Sequence, residues 1–151
     1  MLRALLLTAL LGFALALPAK ADEETAQQTL ELWKSPSCNC CEKWADHMKA
    51  EGFDVAPHAV ATGTLAKIKH QAGIPSKLAS CHTGKIGGYV IEGHVPASDV
   101  ARLLKEKPDA IGLVVPGMPI GSPGMEGPNP ESYEVLLIKR DGSTEVFARH
   151  G

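Results

Sequence analysis

Three of the four cysteines in this 151-residue chain fall within four consecutive positions, Cys38-Asn39-Cys40-Cys41, and the fourth is the distant Cys81. Only one long-range disulfide could therefore tie the cluster to the rest of the fold, which disfavours a purely structural disulfide framework. A bond between the adjacent Cys40 and Cys41 would be strained, because a disulfide normally joins Cα atoms about 5.5 Å apart. Cys38 and Cys41 have the spacing of a C-x-x-C pair. The arrangement therefore indicates redox chemistry or metal binding.

The cysteine cluster is predicted to lie between a strand and a helix. Residues 29–33 alternate between polar and apolar, which is typical of a half-buried strand, and residues 40–51 carry apolar side chains at helical spacing before Gly52. Thiols at the start of a helix face the positive end of its dipole, which lowers thiol pKa values. We therefore expect the thiolate form, which both redox chemistry and metal binding require, to be favoured there.

The first 21 residues predict a secretory signal peptide. Met1-Leu2-Arg3 precedes an apolar run over residues 4–17, and Ala19-Lys20-Ala21 offers a small-x-small cleavage site. A run of about 14 residues is too short to span a bilayer, which needs about 20. We expect export with cleavage after Ala21 and no membrane association afterwards; an uncleaved anchor is the alternative.

Residues 22–151 are expected to form one α/β domain. Removing Arg3 and Lys20 leaves 13 basic and 17 acidic side chains, so nothing indicates a nucleic-acid partner. After the first strand and helix we predict a strand at 53–60, a helix at 64–71, strands at 78–83 and 88–92 joined around 84–87, and a helix from Ser98. Pro57 within the strand at 53–60 indicates a position at the edge of the sheet. This is the thioredoxin-like order of elements.

An additional C-terminal region is expected to follow that thioredoxin-like order. It comprises a short apolar segment at 111–115, a Pro/Gly-rich loop at 116–130, and a hairpin that pairs 133–138 with 144–148 across Asp141-Gly142. Thioredoxin-like proteins keep a cis-proline beside the C-x-x-C pair. We therefore predict that Pro75 is cis and faces Cys38 or Cys41; a trans bond would make Pro75 only the end of a loop.

The methionines of the Pro/Gly-rich loop shift the expected metal towards copper. Soft thiolate and thioether ligands select Cu(I), with Zn(II) as the usual competitor. The loop at 116–130 carries Met118 and Met125, two of the three methionines that remain after residue 21. Filling a gap against the core is an equal alternative for both of them.

Three histidines are candidates for the same site. His82 adjoins Cys81, and His94 follows the next strand, so a hairpin would bring both to one place. His47 lies two helical turns after Cys40, on the same helix face. An ordinary hydrogen-bonded role stays open for each. The remaining histidines, His58, His70 and His150, are predicted to be surface residues.

Two functional classes compete at this point. The first is a protein that binds Cu(I) through three or more thiolates, helped by histidine or methionine. The second is a thiol-disulfide oxidoreductase in which Cys38 attacks and Cys41 resolves. Cys40 favours the first class, because a third cysteine can trap the wrong disulfide in a dithiol enzyme but adds a ligand to a soft-metal site.

Four motifs in order resemble the CopG family, long described as a metal-binding domain of unknown function. They are Lys34-Ser35-Pro36-Ser37-Cys38-Asn39-Cys40-Cys41-Glu42-Lys43-Trp44, Ser80-Cys81-His82-Thr83, Gly88-Tyr89-Val90-Ile91-Glu92-Gly93-His94-Val95-Pro96, and Val115-Pro116-Gly117-Met118-Pro119 with Gly121-Ser122-Pro123-Gly124-Met125-Glu126. The resemblance covers nearly the whole chain after residue 21.

The resemblance implies a thioredoxin-like fold, a periplasmic location in Gram-negative bacteria, and a part in copper resistance. It also implies a redox role, that of a copper oxidoreductase interconverting Cu(I) and Cu(II). The excess of acidic side chains after residue 21 is compatible with transient docking to other periplasmic copper proteins. Whether the protein turns over or only stores and transfers metal stays open. Carried over residue by residue, the resemblance gives as metal ligands Cys38, Cys40, Cys41, Cys81, His82, His94, Met118 and Met125.

Overall fold

The structure, a computed structural model, describes residues 28–151, so the predicted signal peptide and its cleavage site lie outside the described residues. The described part is a mixed α/β fold with three α-helices and one seven-stranded sheet of order β2-β1-β3-β4-β5-β6-β7. The elements are β1 (Leu30–Lys34), α1 (Asn39–Ala50), β2 (Val55–Ala59), α2 (Thr62–Gln71), β3 (Thr83–Ile86), β4 (Tyr89–Glu92), α3 (Ala97–Glu106), β5 (Ala110–Val114), β6 (Tyr133–Lys139) and β7 (Thr144–His150). Within residues 28–151 no helix is long and apolar enough to cross a membrane.

Strand pairing gathers several chain segments at one end of the sheet. The pairs β1–β2 and β4–β5 are parallel, and the other neighbouring strands are antiparallel. The β1–β2 crossover contains α1, and the β4–β5 crossover contains α3. Trp33 near the end of β1 pairs with Thr83 at the start of β3, and Thr83 pairs with Glu92 at the end of β4. The cysteine cluster after β1, the segment before β3 and the segment after β4 therefore emerge side by side.

The middle of the sheet is buried on both faces. Along β4 and β5 the side chains alternate between two apolar clusters, because successive residues of a strand point to opposite faces. Ile91 and Leu113 join the larger cluster, which includes Trp44 of α1, whereas Val90 and Val114 join the smaller one. Helix α1 is thereby packed against the sheet, and this packing fixes the position of the cysteines at its amino end.

Two local predictions were wrong. No peptide bond in residues 28–151 is cis, so Pro75 is trans, and it precedes a single 3-10 turn at Ser76–Leu78. The predicted strand at 78–83 is absent, because β3 begins only at Thr83. The hairpin turns at Gly87 and Gly88, whose φ angles of 59° and 83° suit a tight two-residue turn.

The glycine pattern explains the misplaced turn. Gly84 is predicted to belong to the turn, but it lies within β3, where an added Cβ would be 3.0 Å from the Leu30 side chain. A glycine in a strand often marks such a close approach. The predicted mixed α/β class is confirmed, and so are the β6–β7 hairpin and the edge position of β2, the strand that contains Pro57.

Candidate metal centre

The sulfur atoms of Cys38, Cys40, Cys41 and Cys81 all lie within 4.8 Å of one another. Cys38 and Cys41 are joined in a disulfide with their Cα atoms 5.3 Å apart. Cys40 and Cys81 are free thiols, and their sulfurs are 3.9 Å apart. The Cys40 sulfur is also 3.5 Å from that of Cys38. Two segments that are 41 residues apart in sequence thus meet through their sulfurs.

Local structure explains why the cysteine cluster lies at the start of α1. Cys38 is the N-cap residue, with φ −79° and ψ 93°, and its backbone N–H donates to the Ser35 carbonyl in the preceding turn. The buried Lys34 at the end of β1 pairs with Glu42 in the first turn of α1 at 2.6 Å. Cys41 and Trp44 are fully buried on the face of α1 that packs on the sheet. Together these contacts hold the strand end, the cluster and the helix in one arrangement.

His94 points a ring nitrogen at Cys81. Its Nε2 is 3.0 Å from the Cys81 sulfur, and its Nδ1 is 2.8 Å from the carbonyl oxygen of Pro123. Only a protonated Nδ1 can donate to that carbonyl, so the neutral ring has its lone pair on Nε2, which faces the sulfur. Metal-binding histidines are commonly oriented by such a bond to the other ring nitrogen.

His82 is fully buried beside the same sulfur. Its Nδ1 is 3.3 Å from the Cys81 sulfur, and its ring lies between Trp44 and His94, with centroid distances of 4.4 and 5.0 Å. The other nitrogen, Nε2, is the one buried side-chain nitrogen or oxygen atom in residues 28–151 without a hydrogen-bond partner. Cys81, His82 and His94 thus form a second group whose ligand atoms lie within 4.8 Å of one another.

Burial sets the charge of these groups in the metal-free protein. Burial, and then the neighbouring Cys40, raise the pKa of Cys81 to about 12. Burial lowers the pKa of His94 and lowers the pKa of His82 well below its ordinary value. At neutral pH Cys81 is therefore a thiol and both imidazoles are neutral. A bound metal would displace the thiol proton, because metals bind the thiolate.

The Pro/Gly-rich loop covers the amino end of α1. Gly124 lies so close to the helix that an added Cβ would be 2.7 Å from the Cys40 carbonyl oxygen. The next residue, Met125, lines an open pocket of about 260 Å³ together with Cys40. Met118 is 52% exposed, and the carbonyl of the preceding Gly117 accepts a hydrogen bond from the Ser80 hydroxyl. The loop therefore brings Met125 next to the cluster and leaves Met118 in solvent near the Cys81 segment.

The other histidines have different roles. His47 accepts a hydrogen bond at Nε2 from the Ala97 backbone N–H at 3.1 Å, so it holds the start of α3. His58 and His70 are exposed, as predicted. His150 was predicted to be a surface residue, but it is half-buried and lies 2.7 Å from Asp99, a buried residue in the first turn of α3.

Sequence reasoning missed a buried ion pair next to the site. The Glu92 side chain is fully buried at the end of β4, 2.6 Å from Lys69 of α2, whose side chain is 12% exposed. The sequence did contain a signal for this pair: Glu92 ends the otherwise apolar strand segment Tyr-Val-Ile-Glu. A carboxylate buried in such a strand requires a partner of opposite charge.

The donor atoms fit a soft metal ion. Four sulfurs dominate the cluster, one imidazole nitrogen faces it, and a thioether is in the adjoining pocket. Sulfur ligands of this kind select Cu(I), with Zn(II) as the main competitor. His82 Nε2 is a further candidate nitrogen ligand, because no protein atom in residues 28–151 forms a hydrogen bond with it.

Comparisons with known proteins agree with this chemistry. A family model described as "Protein of unknown function, DUF411" matches residues 78–125, which include Cys81, His94 and Met125. Comparison with curated protein sequences gave no match. The solved structure named "Copper resistance protein copG- Form 2" superposes with a TM-score of 0.77 and 39% identity, covering 82% of this chain and 98% of that one. "Copper resistance protein copG- Form 1" gives 0.76 and 40%, covering 81% and 96%. With such identity over nearly the whole of the solved chains, this chain belongs to the family of the copper resistance protein CopG.

Proposed function

We propose that this protein is an exported, periplasmic protein of copper resistance that binds Cu(I) through Cys38, Cys40, Cys41 and Cys81. One observation carries the proposal: four sulfurs from two distant segments lie within 4.8 Å of one another. The names of the two solved relatives support copper as the metal. The apolar run before Ala21 supports export.

The proposed ligand set extends beyond the cysteines. His94 contributes Nε2, because its Nδ1–H donates to Pro123 and leaves the Nε2 lone pair facing Cys81. His82 and Met125 lie at the edges of the cluster, and Met118 is near the Cys81 segment. A site with more sulfur than nitrogen favours Cu(I) over Zn(II).

The oxidation state of Cys38 and Cys41 controls how many ligands are available. In the disulfide form only Cys40 and Cys81 offer thiols. Reduction by two electrons and two protons provides two further thiols. In the proposed redox role the reduced pair gives one electron to each of two Cu(II) ions, forming two Cu(I) ions and the disulfide and releasing two protons.

The proposal also includes the type of fold. We assign a thioredoxin-like core to β1–α1–β2–α2–β3–β4–α3, with β5, the loop and the β6–β7 hairpin as additions. The strand order β2-β1-β3-β4, in which only β1–β2 is parallel, supports this assignment. The trans Pro75 departs from it.

A thiol-disulfide oxidoreductase is the second candidate. The Cys38–Cys41 disulfide at the amino end of α1 favours it, because helix N-termini stabilise an attacking thiolate. In this function Cys38 attacks a substrate disulfide and Cys41 resolves the mixed disulfide. Cys40 would then have no essential role, and this is the difference that an experiment can use.

The test is an anaerobic titration of the fully reduced protein with Cu(I) against a chromogenic chelator, repeated with Zn(II). We expect tighter binding of copper than zinc, and we expect Cys40→Ser to weaken Cu(I) binding by about tenfold or more, since even outer-shell partners contribute about 10–100-fold. The copper proposal is wrong if zinc binds as well as copper and Cys40→Ser changes nothing. Cycling of Cys38 and Cys41 with a disulfide substrate would then establish the oxidoreductase.

A further inference from the structure

The segment that carries Cys81 lacks regular secondary structure. Residues 79–82 lie between the 3-10 turn Ser76–Leu78 and the start of β3 at Thr83. Strand pairing therefore does not fix the position of Cys81, although its sulfur lies 3.9 Å from Cys40 and 3.0 Å from His94 Nε2. Other contacts must hold this segment in place.

The Glu92 carboxylate binds the segment on both sides of Cys81. Its Oε1 accepts a hydrogen bond from the Ser80 backbone N–H at 2.7 Å, and its Oε2 accepts one from the Thr83 hydroxyl at 2.7 Å. The two residues between these points are Cys81 and His82. Glu92 itself is fixed by β4, where its backbone carbonyl accepts from the Val115 N–H at 3.0 Å.

Lys69 balances the charge of this carboxylate. Its ammonium group donates to Glu92 Oε1 at 2.6 Å and to the Thr83 hydroxyl oxygen at 3.0 Å. A fully buried carboxylate without a counter-ion would be costly. With the Lys69 ammonium group beside it, the Glu92 carboxylate accepts hydrogen bonds at both of its oxygens.

We infer that Glu92, with Lys69 as its counter-ion, is a positioning residue that holds Cys81 at the distance from Cys40 that copper binding requires. The effect on copper rests on the function proposed above. The effect on the two thiols does not, because it concerns the apo protein. An ion pair that only stabilises the fold would leave the distance between the thiols unchanged.

The thiols can be tested without copper in a Cys38→Ser/Cys41→Ser background, where only Cys40 and Cys81 remain. These two thiols react with one oxidised glutathione to give the protein disulfide and two reduced glutathiones, and the equilibrium constant reports how well the sulfurs are held together. We expect Glu92→Gln to lower this constant about tenfold, the size expected for loss of a charge-assisted hydrogen bond.

Asp99→Asn is the matched control. Asp99 is also a buried carboxylate with a side-chain partner, His150 at 2.7 Å, but it belongs to α3 and has no hydrogen bond to the segment at 79–83. We expect this variant to lower thermal stability while leaving the thiol constant unchanged. Thr83→Val is a milder second variant, because it removes the hydroxyl that donates to Glu92 and accepts from Lys69 but leaves the Lys69–Glu92 pair and the Ser80 bond in place. It should lower the constant about threefold.

The inference is overturned if Glu92→Gln and Thr83→Val lower thermal stability as Asp99→Asn does but leave the thiol constant unchanged. If Glu92→Gln does not fold, Thr83→Val decides. Cu(I) affinity is then measured with all four cysteines present, where we expect Glu92→Gln to weaken binding about tenfold. A lower thiol constant with unchanged Cu(I) affinity would support the positioning of Cys81 and refute its role as a copper ligand, so the two proposals fail separately.

Discussion

The two methionines of the Pro/Gly-rich loop differ in their exposure to solvent and in their position relative to Cys40. Met125 lines the pocket that contains Cys40, whereas Met118 is 52% exposed. A thioether can bind Cu(I) only where it can reach the ion together with the thiolates. The sequence could name both residues as candidates but could not rank them, because the ranking depends on how the loop packs on α1.

We therefore predict that Met125→Leu weakens Cu(I) binding by about tenfold, the factor typical of losing one contributor to a metal site. Met118→Leu, the same substitution in the same loop, serves as the control and should change affinity by much less. Competition with a Cu(I) chelator measures both variants. Equal losses for the two variants would mean that the loop rearranges when copper binds.

The buried His82 should give the metal-free protein a pH-dependent stability. Its pKa is lowered by burial and then by the neighbouring His94 and Lys69, so the unfolded chain takes up a proton at a higher pH than the folded chain. The free energy of unfolding should fall as pH drops below about 6.5, by at most about 1.4 kcal/mol per unit from this histidine. Urea unfolding between pH 7.5 and 5 should show a shallower slope for His82→Phe. An unchanged slope would assign the dependence to other groups.

At the scale of the elements, the packing of the Pro/Gly-rich loop on α1 depends on Gly124. Gly124 has φ 86°, and an added Cβ would be 2.7 Å from the Cys40 carbonyl oxygen and 2.9 Å from the Trp44 backbone nitrogen. A side chain there would push the loop away from the helix. Pro123 and Met125, on either side of Gly124, would move with it.

Gly124→Ala should therefore weaken Cu(I) binding by about tenfold, because it moves the carbonyl that orients His94. Gly117→Ala is the matched control, since Gly117 also has a positive φ of 70° but an added Cβ there meets nothing within 4 Å. Both variants carry the backbone strain, of about 1–3 kcal/mol. Chemical denaturation and Cu(I) competition separate stability from affinity. The loop has no part in the site if Gly124→Ala binds copper as well as Gly117→Ala does.

Local sequence patterns predicted some elements correctly and others wrongly. Helical spacing of Cys41, Trp44 and Met48 predicted α1 correctly, because one face of that helix is buried and the other is exposed. The region at 75–84 was predicted wrongly, because Gly84 resembles a turn residue until its contact with Leu30 on β1 is known. That contact joins residues far apart in sequence, and local propensity does not contain it.

At the scale of the whole molecule, the site is a product of sheet topology. Segments that contain Cys38, Cys81 and His94 meet at one end because β1, β3 and β4 are neighbours, and the loop after β5 brings Met125 to the same place. The sequence predicted that a hairpin would join His82 and His94, and the structure brings them together. The sequence alone could not predict that Glu92 and Lys69 lie beside the Cys81 segment. That contact requires α2 to pack beside β3 and β4.

X-ray absorption at the copper K-edge of the reduced, copper-loaded protein tests the proposed centre most directly. It reports the oxidation state of the metal and the elements in its first coordination shell. We expect Cu(I) with sulfur as the dominant ligand and a smaller contribution from imidazole nitrogen, with the sulfur contribution reduced in Cys40→Ser. A shell made mainly of nitrogen and oxygen, unchanged by Cys40→Ser, would place the copper elsewhere and contradict binding by the four-cysteine cluster.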